Sequence, residues 1–165
     1  LERRPVRVEI SPAPTLFALA ADAVGASRGA PPAWLARVRS NLDRGDLAAL
    51  SPLAVPPGGF IPASVMPRRA PSVEALAEEL DRIAELPAEV VLDDISFARG
   101  AQPAGPWGVV ARNPRRWLPR YANALRRAWK GVAHEWSAAA ELFDRELSRV
   151  GSARARSMTA TVRLT

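Results

Sequence analysis

The sequence has no cysteine and only one histidine, and each of these scarcities excludes a class of chemistry. Without cysteine the chain has no disulfide, no thiolate nucleophile and no cysteine-ligated metal. A zinc site would have to combine carboxylates with the single imidazole of His134, which is an uncommon set of ligands. A Ser-His-Asp triad would need the same histidine, and no Gly-x-Ser-x-Gly motif accompanies it. We therefore expect no catalytic residue, no metal and no cofactor.

Long apolar runs are absent as well, although apolar residues make up 48% of the chain. No run approaches the roughly 18 residues of a membrane span, and no signal-peptide pattern is present. We expect a soluble cytoplasmic protein that makes no membrane contact. The 165 residues suit a single domain, 1–165, with a substantial core.

Apolar residues recur every three or four positions from Asn113 to Val150, which is the spacing of one helical face. Pro119 and Gly131 interrupt this run, so it predicts two helices or one bent helix. Cap and proline signals predict shorter helices earlier in the chain. These begin near Ser11, Pro31, Ser72 and Pro87. The predicted fold class is mainly α: a multi-helix bundle with a long or kinked C-terminal helix.

Two other kinds of segment are predicted outside the helices. Alternating apolar and polar residues predict short strands at 6–10 and 159–165, which would form a small two-stranded β patch at the termini. Prolines and glycines predict a connector from Ser51 to Pro71, whose apolar side chains would cover the helices as a lid. A ligand-gating loop is the alternative for this connector. A second loop, containing Trp107, is predicted from Gly100 to Gly108.

Aromatic residues on the C-terminal run are candidates for a small-molecule pocket. Buried tryptophan and tyrosine need partners for their N–H and O–H groups, so clusters of them often line cavities. The competing interpretation of the same residues is a packed core. The pocket would accept a small apolar or aromatic effector. The candidate pocket residues are Phe60, Trp117, Tyr121, Trp129 and Trp136.

Charge is segregated along the second half of the chain. Acidic residues dominate from Glu74 to Asp94, and basic residues replace them from Ile95 to His134. The basic run is either a phosphate-binding face or a surface that lies against the acidic helix, within a monomer or across a dimer. We favour the second interpretation, since no recognised nucleic-acid motif accompanies the run. The candidate nucleic-acid face consists of Arg112, Arg115, Arg116, Arg120, Arg126, Arg127 and Lys130.

Two pairs of titratable residues raise the question of catalysis. Asp93 and Asp94 would point about 100° apart on a helix, so we expect a solvated face rather than an acid–base pair or a magnesium site. His134 precedes Glu135 in an amphipathic stretch, where a packed or solvated histidine is the usual state. An enzyme that uses His134 with one of these acids is therefore the least favoured function.

Three segments of the chain share their pattern with one family. The first is the strand-to-helix turn from Ile10 to Pro14, and the second is the Pro-Pro-Gly-Gly-Phe-Ile-Pro loop between Pro56 and Pro67. The third extends from Asn113 through Tyr121 to Leu147. Together they resemble the N-terminal region of ArsR-like winged-helix transcriptional regulators from actinobacteria, in which a helical domain precedes the helix-turn-helix.

The resemblance implies a non-enzymatic domain that senses an effector, mediates dimerisation, or does both. We expect a homodimer that contacts DNA only through a domain following Thr165, because this chain shows no helix-turn-helix pattern. The chain would then be a fragment of a longer regulator. The alternative is direct nucleic-acid binding by the basic residues between Arg112 and Lys130, and the second alternative is an uncharacterised enzyme.

Overall fold

The computed structural model is mainly helical, which confirms the predicted fold class. It describes residues 11–56, 59–68, 70–99, 105–143, 145–146 and 149. No strand occurs in this part of the chain, and the predicted strands at 6–10 and 159–165 lie outside it. The chain divides into two compact units, Leu1–Val132 and Ala133–Thr165.

The helices of the first unit follow one another with short connections, except for the proline-rich connector between the third and the fourth. They are α1 (Pro12–Ala23), α2 (Pro32–Asn41), α3 (Arg44–Leu50), α4 (Val73–Ala84), α5 (Ala88–Arg99), α6 (Pro106–Arg112) and α7 (Pro114–Lys130). The connector contains two 3-10 turns, Ser51–Leu53 and Ala63–Val65. In the second unit, residues 133–143 form α8.

Local hydrogen bonds determine where α3 and α7 begin. Asp43 and Asp46 form a reciprocal capping box at α3, since each backbone N–H donates to the other side chain, at 3.1 and 2.8 Å respectively. At α7 the Asn113 side chain accepts from the Arg116 N–H at 3.3 Å, and Pro114 occupies the first turn. These caps fix the N-termini of α3 and α7, which border the candidate site described below.

The helix α7 is the centre of the first unit, because it contacts α1, α2, α3, α4, α5 and α6. Its inward face combines large side chains with alanines, which allow neighbouring helices to approach closely. The buried residues of α7 are Pro114, Leu118, Tyr121, Ala122, Ala124, Leu125, Ala128 and Trp129. The apolar periodicity that predicted this helix therefore corresponds to the core of the unit.

Gly131 follows α7 at a point where the end of α2 leaves no room for a side chain. A Cβ at Gly131 would lie 2.5 Å from Asn41 Nδ2 and 3.2 Å from the carbonyl oxygen of Arg37. The predicted long run is therefore two helices, α7 and α8, rather than one bent helix. Pro119 lies inside α7 without ending it.

The predicted loop from Gly100 to Gly108 is wrong at its C-terminal end. The helix α6 begins at Pro106, where a proline in the first turn loses no hydrogen bond because that N–H has no helical partner. Gly105 precedes it with a φ of 74°, a conformation that favours glycine. Trp107 is consequently a buried helical residue with an exposed fraction of 0%.

Side chains from α4 and α5 hold the backbone of the proline-rich connector. The Arg82 guanidinium donates to the carbonyl oxygens of Ser64 and Met66, each at 3.3 Å. The carboxylate of Asp94 accepts from the Ser64 N–H at 2.8 Å. Asp94 therefore has a structural partner, whereas Asp93 is exposed as expected from the sequence.

Within the part of the chain that the structure describes, none of the helices combines the length and the apolar character needed to cross a bilayer.

Replacing Asp94 by Ala is expected to destabilise the protein by about 1–2 kcal/mol, because it leaves the Ser64 N–H without its acceptor. The matched control is Asp93→Ala, which changes the adjacent exposed residue of the same helix and should cost less than about 0.5 kcal/mol. Urea denaturation followed by circular dichroism measures both. Equal losses for the two variants would contradict this role of Asp94.

Candidate ligand-binding groove

Four aromatic rings form a continuous row inside the first unit. Phe60 and Trp107 meet edge to face with centroids 6.4 Å apart, and Trp107 and Trp117 do so at 5.9 Å. Trp117 stacks on Tyr121 at 4.5 Å with an interplanar angle of 20°. The structure thus joins three of the predicted pocket residues, Phe60, Trp117 and Tyr121, through Trp107. Trp107 was not among the predicted pocket residues, because it was placed in a loop; the Gly105–Pro106 helix start is the signal that would have identified it.

The polar atoms of this row are used to hold backbone segments together. Each indole N–H or phenol O–H donates to a main-chain carbonyl that lies far away in the sequence. The pairs are Trp107 to Phe60 at 3.0 Å, Trp117 to Ala49 at 2.9 Å and Tyr121 to Val65 at 3.2 Å. Burial raises the pKa of the Tyr121 phenol, so this group remains a protonated donor. Most of the row is therefore a hydrogen-bonded core.

The other two predicted pocket residues have different positions. Trp129 lies on α7, eight residues beyond Tyr121, which places it about 12 Å further along the helix axis. It is buried, with an exposed fraction of 7%. Trp136 lies on α8 in the second compact unit and is also buried.

An open groove with a volume of about 380 Å³ lies where α3, α6 and α7 meet. This volume is within the range of small-molecule sites, roughly 300–1,000 Å³. The groove is lined by Gly45, Ala48, Ala49, Val109, Asn113, Arg116, Trp117 and Arg120. We call it the α3–α7 groove. It contains one residue of the predicted pocket, Trp117, and two of the predicted nucleic-acid face, Arg116 and Arg120.

One wall of the α3–α7 groove is apolar and includes the indole of Trp117. The bond from its Nε1–H to the Ala49 carbonyl fixes the ring between α7 and α3. Val109 of α6 contributes an isopropyl group that is 63% exposed. An exposed valine beside a half-buried tryptophan offers apolar surface that a ligand would remove from water.

The C-terminal half of the basic face of α7 is paired inside the fold. Arg126 forms an ion pair with Asp81 of α4, as expected if the basic run lies against the acidic helix. Arg127 binds Asp43 at 2.8 Å and Asp46 at 2.9 Å, so it joins α7 to the capping box of α3. The hydrogen bond from the Asp46 backbone, and then the one from Arg127, hold the pKa of Asp43 below its usual value.

The remaining basic residues of the candidate face are exposed. None of them forms an ion pair with an acidic side chain in the described part of the chain. They are Arg112, Arg115, Arg116, Arg120 and Lys130. The first turn of α7 contains no acidic residue, although the positive end of the helix dipole lies there. The rim of the α3–α7 groove therefore combines a helix N-terminus with guanidinium groups.

The candidate catalytic residues show no assembled site in the described residues. His134 is exposed on α8, and its neighbour Glu135 is half-buried. The carboxylate of Asp94 accepts a hydrogen bond from the backbone N–H of Ser64 in the connector. No three histidine or acidic side chains of the described residues lie together as they would around a metal ion. We therefore take the α3–α7 groove, rather than these residues, as the candidate site.

Comparison of the chain with protein families, with curated proteins and with solved structures found no match in any of the three.

Replacing Arg127 by Gln is expected to lower the urea midpoint at neutral pH by more than Arg115→Gln. Both variants remove one charge from α7, but only Arg127 is paired with described acids. Because the folded pKa of Asp43 lies below its ordinary value of 3.8, its contribution is complete above that pH. The contribution is lost as the pH falls through the lowered folded pKa.

The difference between the two variants should therefore shrink in urea titrations performed at successively lower pH, from neutral to about pH 2. A difference that is the same at every pH would show that the ion pairs of Arg127 do not stabilise the fold.

Proposed function

We propose that this chain is a non-enzymatic, effector-sensing domain of a bacterial transcriptional regulator, and that its α3–α7 groove binds the effector. The observation that supports the proposal is an open groove in which Trp117 and Val109 provide apolar surface. The resemblance of the connector and the C-terminal run to ArsR-like regulators supports the regulatory class. In this proposal the protein is cytoplasmic and dimeric, and DNA is contacted by a domain outside this chain.

The groove favours a small ligand with an aromatic or apolar body. Its volume of about 380 Å³ is small, and its apolar surface combines the half-buried indole of Trp117 with the exposed side chain of Val109. A flat ring placed over the indole of Trp117 would gain stacking and would also cover Val109. No nucleophile or general base lines this groove, which is why binding rather than bond-making is the proposed role.

A ligand in this groove would influence the arrangement of the whole first unit. It would contact α3, α6 and α7 at once, and α7 contacts the other helices of the unit. The bonds from Trp117 to Ala49 and from Arg127 to Asp43 define one spacing of α3 from α7. Regulation would follow if the ligand bound this spacing more tightly than another, since only differential affinity shifts a conformational equilibrium.

Filling the groove with a bulky side chain is expected to abolish ligand binding. Ala48 is exposed on α3 and lines the groove, so Ala48→Phe should weaken binding of an aromatic fragment by at least about tenfold, or 1.4 kcal/mol. Ala77→Phe, at an exposed alanine of α4 outside the groove, is the matched control and should leave binding unchanged.

The measurement is a fragment screen by thermal shift, followed by isothermal titration calorimetry of the best aromatic compound with both variants. If no aromatic compound binds the wild-type protein, or if Ala48→Phe binds as tightly as the control, the groove is not an effector site.

The exposed arginines around the N-terminus of α7 favour a second candidate function, direct nucleic-acid binding. Arg112, Arg115, Arg116 and Arg120 have no described acidic partner. If each neutralises one phosphate of duplex DNA, the logarithm of the binding constant should fall with the logarithm of salt concentration with a slope of about −3.6. Titrations by fluorescence anisotropy at several salt concentrations give this slope.

In the same titrations Arg115→Gln should reduce the slope in magnitude by about 0.9, and Glu78→Gln, at an exposed acid of α4, should not reduce it. Absence of DNA binding at low salt would exclude this function.

A further inference from the structure

We infer that the ligand of the α3–α7 groove has an oxyanion head group, a carboxylate or a phosphate, which Arg116 and Arg120 bind. The inference rests on the proposed function and adds the charge of the ligand to it. Both arginines line the groove, both are exposed, and neither is paired with an acidic side chain in the described residues.

The placement of these charges is unfavourable in the empty groove. Arg116 lies in the first turn of α7, where the helix dipole disfavours cations and favours anions. Arg116 and Arg120 are four residues apart on one helix, so their Cβ atoms are about 5–6 Å apart and their charges repel. An oxyanion between the two guanidinium groups would reverse both effects.

The arginines in the C-terminal half of α7 provide a comparison, because they are paired with acidic side chains. Arg126 is paired with Asp81, and Arg127 is paired with Asp43 and Asp46. Acids of α3 and α4 thus neutralise these two arginines of α7. In the described residues Arg116 and Arg120 receive no such acid, so their charges are available to a ligand of the groove.

The lining of the groove also contains both kinds of side chain that an anion with an apolar body requires. Guanidinium groups bind carboxylate and phosphate through parallel N–H bonds, which gives orientation as well as charge neutralisation. Asn113 adds a side-chain amide at the same rim, with its Oδ1 already accepting from the Arg116 N–H. Trp117 and Val109 stand beside these donors, so a head group and a ring would be recognised by different walls.

The test compares three probes that share one ring system: naphthalene-2-carboxylate, 2-naphthyl phosphate and the neutral naphthalene-2-carboxamide. Each is titrated calorimetrically into the whole chain at pH 7. At least one anionic probe should bind about tenfold or more tightly than the carboxamide. Arg116→Gln and Arg120→Gln should each remove most of that advantage. Lys130→Gln, which takes a positive charge from the far end of α7, should preserve it.

Two results would overturn different parts of the proposal, and a third would support it. Equal binding of the carboxamide and the anions, unaffected by Arg116→Gln and Arg120→Gln, would overturn the anionic head group but leave the groove as a ligand site. Failure of every probe to bind the wild-type protein would overturn the groove itself, and the inference with it. Tight binding of only the carboxylate or only the phosphate supports the inference and identifies the head group.

Folding of the variants is checked independently, because a loss of binding has meaning only in a folded protein. Circular dichroism and melting temperature should match those of the wild type. Arg116→Lys and Arg120→Lys retain the charge without the planar fork, so they should retain part of the preference for the anion. A preference abolished by Lys as completely as by Gln, in folded protein, would contradict recognition by charge.

Discussion

The first compact unit depends on aromatic donors that bind backbone carbonyls distant in the sequence. Trp107, Trp117 and Tyr121 each place a large ring in the first unit and donate one hydrogen bond to a carbonyl at least 47 positions away. Two of these acceptors, Phe60 and Val65, lie in the proline-rich connector. A buried carbonyl left unpaired costs about 1–3 kcal/mol, so these donors stabilise the connector together with Arg82 and Asp94. These three side chains thereby bury apolar surface and also provide hydrogen-bond donors for backbone carbonyls.

The same helix that provides two of these rings also organises the charge of the unit. One face of α7 is buried against α1 to α6, and the opposite face is basic along its whole length. Acids from α3 and α4 neutralise Arg126 and Arg127, which makes the C-terminal half part of the fold. The N-terminal half borders a groove in which arginines stand beside an indole. In the proposed function, one end of this helical surface stabilises the fold and the other end binds the ligand.

The sequence patterns predicted α1, α2, α4, α5 and a helical C-terminal run, because burial on a helix follows a period of 3.6 residues, but they did not predict α6. They could not rank positions within an apolar stretch: Phe97 follows Val91 and Ile95 on α5 yet is 95% exposed. Trp107 was assigned to a loop, since glycines and prolines concealed a helix start. The pairing of Arg127 with Asp43 joins residues 84 positions apart, and no local rule encodes it.

The candidate site illustrates the same limit. Trp117, Arg116 and Arg120 were singled out from the sequence, but under two separate hypotheses, whereas α3 contributes Gly45 and Ala48, which give no sequence signal. The tethered indole has a further consequence for recognition. Because its N–H is held by Ala49, the ring cannot turn to suit an arriving molecule, and that wall of the groove loses little conformational entropy on binding. Such a preorganised wall favours a flat ligand body, while the long arginine side chains can adjust to the position of its oxyanion.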